Sequence, residues 1–181
     1  MKIVVTQFMS LDGVIEAPHE WSFPYWGDDI GQFKLDELFA SDAQLLGRTT
    51  YEGFASAWPT RTDEAGFAER MNSMPKYVVS ATLENAEWNN SHIISENVVE
   101  EISKLRQQPG GDALVAGSAT LAQTLIENDL VDEYHLLVYP IVLGKGIKLF
   151  QDGRDTKLKM VESKPMSSGV MLVRYQPDRT E

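Results

Sequence analysis

The sequence predicts a three-layer α/β fold, with a central mixed, mostly parallel sheet flanked by helices and a C-terminal antiparallel hairpin. Three observations predict it. Short apolar, β-branched runs alternate with stretches of helical apolar spacing, which calls for parallel strands joined by helical crossovers. Two of the junctions, at Gly47 and at Gly117-Ser118, are tight strand-to-helix turns. After residue 157 the helical spacing is lost, and two strand patterns flank a turn at Pro165 to Gly169. No repeat, low-complexity tract or linker interrupts the 181 residues, so a single domain over 1–181 is expected.

The elements follow in order. Ile3 to Phe8 is a buried strand that ends near the turn residues Asp12-Gly13. Leu35, Leu38 and Phe39 recur at i, i+3, i+4 and predict a helix over about 29–40, with Lys34, Asp36 and Glu37 facing outward. The apolar run Ala43 to Leu46 stops at Gly47. Tyr51, Phe54 and Trp58 then predict a helix, with Thr49 or Thr50 as its N-cap. A helix is expected from Asp63 to Asn72, and strands at Tyr77 to Val79 and His92 to Ile94. Val98, Ile102 and Leu105 place one apolar face on the next helix, which ends at Gly110-Gly111. Ala113 to Ala116 is a strand, and Leu121, Ala122, Leu125 and Ile126 form the inward stripe of the helix after it. Tyr134 to Val142 reads as a long strand broken by Pro140, and Lys157 to Glu162 with Val170 to Tyr175 as the hairpin.

Composition narrows the function. Sixteen Lys plus Arg against 27 Asp plus Glu give a net charge of −11, which disfavours a broad grip on nucleic acid or an anionic membrane. The absence of cysteine removes disulfides, thiolate metal sites and thiol nucleophiles. His19, His92 and His135 lack ligand spacing, so no metal is expected. The N-terminal stretch carries no signal-peptide pattern and no run nears a membrane span, so a cytoplasmic location is expected. Lys145, Lys148, Arg154, Lys157, Lys159 and Lys164 concentrate positive charge late in the chain. They form either a solvated edge or a contact for a phosphate-bearing substrate.

Ligands of such sheets bind where strands end and helices begin. At the first turn, Gly47 lets the chain turn sharply, Arg48 offers a planar charged fork, and Thr49 and Thr50 offer hydroxyls beside a helix N-terminus. These suit a phosphate; they equally describe a capped helix whose Arg points into water. At the second turn, Gly117, Ser118 and Thr120 let a pyrophosphate approach the main chain, although the pattern falls short of G-x-G-x-x-G. Trp21, Phe23, Tyr25 and Trp26 gather four aromatics into six residues around Pro24. They read either as a lid that stacks on a flat substrate or as a packing plug or dimer contact.

The turns also match a family. Residues 43 to 54, AQLLGRTTYEGF, resemble the Gly-Arg-x-Thr-Tyr segment of the dihydrofolate reductase superfamily. Ser10-Leu11-Asp12-Gly13 and the stretch VYPIVLGKGIKLF from Val138 to Phe150 resemble its riboflavin-biosynthesis branch, the reductase domain that follows a deaminase in the bifunctional enzyme. The likeness runs from about residue 2 to 175. It implies a dihydrofolate-reductase-like fold, a homodimer, and NADPH held by Gly47, Arg48, Thr49 and Thr50 at one turn and Ala116, Gly117, Ser118, Ala119 and Thr120 at the other. Ser80, with Thr82 nearby, would accept the 2′-phosphate. The family often has Gly-Gly where Ala116-Gly117 stands.

On the substrate side the sequence departs further. The acid that folate reductases carry on the first helix maps onto Gly31, and where that branch has a carboxylate-binding Arg, Met74-Pro75-Lys76 offers only a lysine. Asp12 matches the family's polar residue facing the nicotinamide, or is simply a turn-forming Asp before Gly. The resemblance implies an NADPH-dependent reductase of a small heterocyclic or sugar-like substrate, like 5-amino-6-(5-phosphoribosylamino)uracil reductase, with water or Asp12 relaying the proton. The alternative is a non-catalytic nucleotide-binding or interaction protein that kept the fold.

Overall fold

The structure, a computed structural model, describes residues 1–153 and 155–179. Arg154, one of the basic residues noted above, lies outside the described residues. In chain order the elements are β1 (Lys2–Ser10), α1 (Asp28–Ala40), β2 (Ser41–Gly47), α2 (Arg48–Ala57), α3 (Phe67–Ser73), β3 (Lys76–Val79), β4 (Ser91–Ile94), α4 (Val98–Gln107), β5 (Asp112–Ala116), α5 (Ala119–Glu127), β6 (Glu133–Tyr139), β7 (Leu158–Pro165) and β8 (Met171–Pro177). Two short 3₁₀ turns, Pro18–Glu20 and Phe23–Tyr25, lie in the loop after β1. The strands form one sheet in the order β4-β3-β2-β5-β1-β6-β8-β7. Pairs from β4 through β6 are parallel, β8 is antiparallel to β6, and β7 is antiparallel to β8. This is the mixed sheet with a closing hairpin that the alternation predicts.

The pleat of each strand divides the core between the two faces. Ile3 and Val5, Ala43 and Leu45, and Ala113 and Val115 pack with Ile102 and Leu105 of α4 and Leu121, Ala122 and Leu125 of α5. On the other face Leu46 and Val78 meet Leu38, Tyr51 and Met71, while Leu137, Tyr139 and Leu172 meet Ile30. Helices α1, α2 and α3 therefore cover one face, and α4 and α5 the other.

Several boundaries differ from expectation for local reasons. Helix α2 starts at Arg48 with Gly47 as its N-cap, so Thr49 and Thr50 lie inside its first turn. Helix α3 starts at Phe67, because Asp63 stands outside the helix and accepts hydrogen bonds from the N–H groups of Phe67 (2.9 Å) and Ala68 (2.6 Å). Strand β6 ends at Tyr139, since Pro140 has no N–H to continue the ladder. Glu37, expected to face outward, is only 6 % exposed.

Lys76 is wholly buried at the start of β3. Its ammonium donates to the carbonyls of Asn72 (3.0 Å), Met74 (2.8 Å) and Asn89 (3.0 Å) and stands 4.2 Å from the ring centre of Trp88. Burial pushes its pKa down to about 8, which leaves it charged at neutral pH. The lysine found where folate reductases keep a carboxylate-binding Arg is therefore a structural pin between α3, β3 and the loop before β4.

Candidate functional site

The two strand-to-helix turns lie side by side because β2 and β5 are neighbours in the sheet. They are hydrogen-bonded to each other. The Gly47 N–H donates to Ser118 Oγ (2.9 Å), and the Ser118 N–H donates to Thr50 Oγ1 (2.9 Å). A Cβ on Gly117 would meet Thr50 Oγ1 at 3.2 Å, a contact tighter than most. Gly117 (φ 59°) and Ser118 (φ 53°) are consecutive left-handed residues, so the turn's conformational demand falls on them and not on Ala116. Gln7 of β1 reaches the same turn, donating to the Gly117 carbonyl.

Both turns open into one cavity of about 1790 Å³, lined by all of Gly47, Arg48, Thr49, Thr50, Ser80, Thr82, Ala116, Gly117, Ser118, Ala119 and Thr120. A pocket for one drug-sized ligand is roughly 300–1,000 Å³, so this space exceeds what one such ligand fills. The interlock occupies the Ser118 N–H and hydroxyl, since Ser118 Oγ also donates to the Ala116 carbonyl (3.2 Å). What remains for an anion is the first-turn N–H groups of α2 and α5 and the threonine hydroxyls. Arg48 crosses from α2 to the turn after β3, its guanidinium donating to Thr82 Oγ1 (2.7 Å) and to Glu52 Oε1 (2.7 Å). Ser80 shapes that turn: its Oγ accepts from the N–H groups of Thr82 (3.2 Å) and Leu83 (3.0 Å).

A second, polar part of the wall is one that helical periodicity assigns to solvent. Lys34 and Glu37, one turn apart on α1, form an ion pair over Thr6 of β1. Lys34 donates to Thr6 Oγ1 (2.9 Å), which donates to Glu37 Oε2 (3.1 Å). Thr6, Lys34 and Glu37 all line the cavity. Behind them, Glu37 Oε1 contacts His135 Nδ1 at 2.6 Å, His135 Nε2 lies 3.0 Å from Glu133 Oε1, and Arg174 donates to Glu133 and to Glu162. A charged row therefore crosses the sheet from the cavity to the outer hairpin. The nearest sequence signal is the i, i+3 pair of opposite charges flanking the apolar positions Leu35 and Leu38.

Burial pushes the carboxyl groups of this row up, but their partners outweigh it. The charge of Lys34 and the hydrogen bond with His135 hold Glu37 below the usual carboxylate range, and Arg174, His135 and Gln176 hold Glu133 at about 2. A carboxyl lowered on folding stabilises the native state above its unfolded pKa. That stabilisation is lost as pH falls through the folded value. The urea midpoint is thus expected to drop steeply between the unfolded carboxyl value of 4.5 and about 2, and Glu133→Gln is expected to flatten that drop.

The aromatic loop divides in two. Phe23 and Trp26 line the cavity, Trp26 with its ring edge on Phe8 at 6.3 Å between centres. A Cβ on Gly31 would lie 3.7 Å from the Trp26 ring, so the indole covers the helix position where folate reductases carry an acid. Trp21 and Tyr25 instead pack edge-on against Tyr139, at 5.3 and 5.8 Å, and take no part in the cavity wall. The loop is thus shared between the cavity wall and the core around Tyr139.

Asp12 is not brought to the cavity. Its carboxylate accepts from the Ser10 hydroxyl (2.7 Å) and from the N–H groups of Leu143 (3.1 Å) and Gly144 (2.8 Å), bonds that hold its pKa down at about 2. A carboxylate so held clamps the turn to the loop after β6. Asp12→Ala is expected to speed proteolytic nicking of residues 141–147 while leaving affinity for NADPH within about twofold. Among the described residues no cluster of His, Cys, Asp and Glu is arranged to hold a metal, and no helix is long and apolar enough to cross a membrane.

The model of the RibD C-terminal domain matches residues 1–172. The chain belongs to the RibD C-terminal domain family. It is 35% identical over 179 residues to YyaP of Bacillus subtilis, an uncharacterized protein, with 96% of this chain and 94% of that one covered. Solved structures share its fold at low identity. A pyrimidine reductase-like protein from Corynebacterium diphtheriae has a TM-score of 0.70 at 14% identity, covering 99% of this chain and 92% of that one. Dihydrofolate reductase from Enterococcus faecalis, complexed with NADP(H), has a TM-score of 0.64 at 16% identity, covering 98% and 96%. This RibD C-terminal domain therefore has the dihydrofolate-reductase-like fold, and its family is reductase-like.

Proposed function

We propose that the chain is an NADPH-dependent reductase that delivers hydride to a C=N or C=O group of a small heterocyclic or sugar-like substrate. The reaction would be of the kind catalysed by 5-amino-6-(5-phosphoribosylamino)uracil reductase. The observation that carries this reading is the opening of both interlocked turns, with the Arg48–Thr82 pair at their side, into a cavity large enough for a dinucleotide and a second ligand. The donor set fits the group. Arg48 and Thr82 present a charged fork and a hydroxyl suited to the 2′-phosphate, and the first turns of α2 and α5 offer N–H groups to the pyrophosphate.

When bound, the nicotinamide supplies the hydride. The chain's own residues do the rest. Thr49, Thr50 and Thr120 fix the cofactor's phosphates, the Gly117 turn allows close approach beneath it, and Phe23 and Trp26 exclude water above the reacting centre. A homodimer in the cytoplasm goes with this reading through the family resemblance. The test is a fluorescence titration of the whole chain with NADPH, followed by displacement with adenosine 2′,5′-bisphosphate. Saturable binding that the bisphosphate reverses is expected, and no binding at tens of micromolar would sink the reading.

A further inference from the structure

The floor of the cavity carries an ammonium that neither turn uses. Lys34 Nζ donates to Thr6 Oγ1 (2.9 Å) and to Glu37, and its third N–H has no acceptor among the described residues. The lysine is largely enclosed, with 17% of its side chain accessible, and Glu37 beneath it is almost wholly covered at 2%. Phe8 and Phe33 flank the ammonium, with ring centres at 5.8 and 6.0 Å. Burying an ion pair is expensive unless its geometry and remaining hydrogen bonds are satisfied. Here the carboxylate side is satisfied by Lys34, Thr6 and His135, and the ammonium keeps one donor for the cavity.

Position gives that donor a use. Thr6 pairs in register with Ala116 of β5, so the ammonium stands over the strand next to the second turn. On the cavity side it is bordered by Phe8, which meets Trp26 edge-on, so a flat ring resting against these aromatics lies beside Lys34. Other ionisable groups facing it are Glu37 on its own helix and, behind, His135 and Glu133 on β6 and Arg174 on β8.

We propose that Lys34 binds the anionic oxygen or ring nitrogen of a planar heterocyclic substrate and protonates that atom when the adjacent carbon is reduced. The transfer breaks one ammonium N–H bond and forms the heteroatom–H bond. The neutral amine left behind takes its proton back from water in the open cavity. Thr6 and Glu37 are positioning residues that hold the ammonium upright. This inference rests on the reductase reading of the same cavity, but it concerns the substrate half and is tested apart from the cofactor half.

The probe is barbiturate, a flat pyrimidine ring that is an anion at neutral pH, titrated calorimetrically into the whole chain with and without saturating NADPH. Wild-type protein is expected to bind it, Lys34→Met to weaken that binding at least about tenfold, and Lys34→Arg to weaken it by no more than about threefold, on the scale of one charge-assisted hydrogen bond. NADPH affinity is expected to stay within about twofold in each variant, as for a change away from its binding groups. Because Lys34→Met leaves Glu37 buried without its counter-ion, the double variant Lys34→Met with Glu37→Gln, which removes both charges, keeps the test sound if the single variant does not fold. Failure of the wild type to bind barbiturate, or equal binding by wild type and the lysine variants, overturns the assignment of Lys34. Failure to bind NADPH while barbiturate binding still depends on Lys34 overturns the cofactor reading alone.

Discussion

Replacing Lys76 by methionine is expected to lower the free energy of unfolding by about 2–5 kcal/mol, read as a fall in urea midpoint at unchanged slope. The ammonium serves three carbonyls at once. That of Asn72 keeps a second donor in the Asn89 side-chain amide (3.2 Å), so the carbonyls of Met74 and Asn89 bear the loss. A buried acceptor left unsatisfied costs about 1–3 kcal/mol, whereas the same substitution at an exposed lysine stays within about 0.5 kcal/mol. The damage should not remain local. Lys76 begins β3, and the turn after the other end of that strand carries Ser80 and Thr82. Hydrogen exchange is therefore expected to accelerate across β3 and β4 before it does in β1 and β5. A midpoint unchanged in Lys76→Met would show that the carbonyls find other donors.

The second large effect concerns Arg48. Arg48→Ala is expected to weaken NADPH binding by roughly 10- to 150-fold, the range that about 1.5–3 kcal/mol for hydrogen bonds to a charged group implies. NADH, which lacks the 2′-phosphate, is expected to change by less than about threefold. The guanidinium is partly exposed and shares itself between Thr82 and Glu52, so it is placed without being immobilised in the protein core. Arg48→Lys keeps the charge but loses the planar fork, and should fall between wild type and alanine. Equal losses for both nucleotides would move the 2′-phosphate contact elsewhere.

How far the sequence carried this site depends on how local each signal is. The turns at Gly47-Arg48 and Gly117-Ser118 are legible because glycine, hydroxyls and an arginine at a strand-to-helix junction are meaningful within a few residues. Their mutual hydrogen bonds are not, since residues 47 and 118 meet only through the pairing of β2 with β5. Amphipathic reasoning sent Glu37 to solvent, because it sorts charged residues outward and has no knowledge of Thr6 and His135 waiting beneath the helix. The aromatic cluster was visible as composition; which rings would turn toward Tyr139 was decided by the second core cluster. Asp12 is legible as a turn residue before Gly13, but its bonds to the N–H groups of Leu143 and Gly144, more than 130 positions away, are not.

The paired hydrogen bonds between Gly47, Thr50 and Ser118 also bear on how this protein can vary. Two loops that touch a ligand independently can drift independently, but here the hydroxyl of Thr50 accepts from the Ser118 amide and the hydroxyl of Ser118 accepts from the Gly47 amide. Thr50→Val leaves the Ser118 amide without its acceptor, and Ser118→Ala leaves the Gly47 amide without its own. Each hydroxyl thus serves a backbone amide of the opposite turn, so a change at either position is felt in both turns although residues 50 and 118 are sixty-eight positions apart.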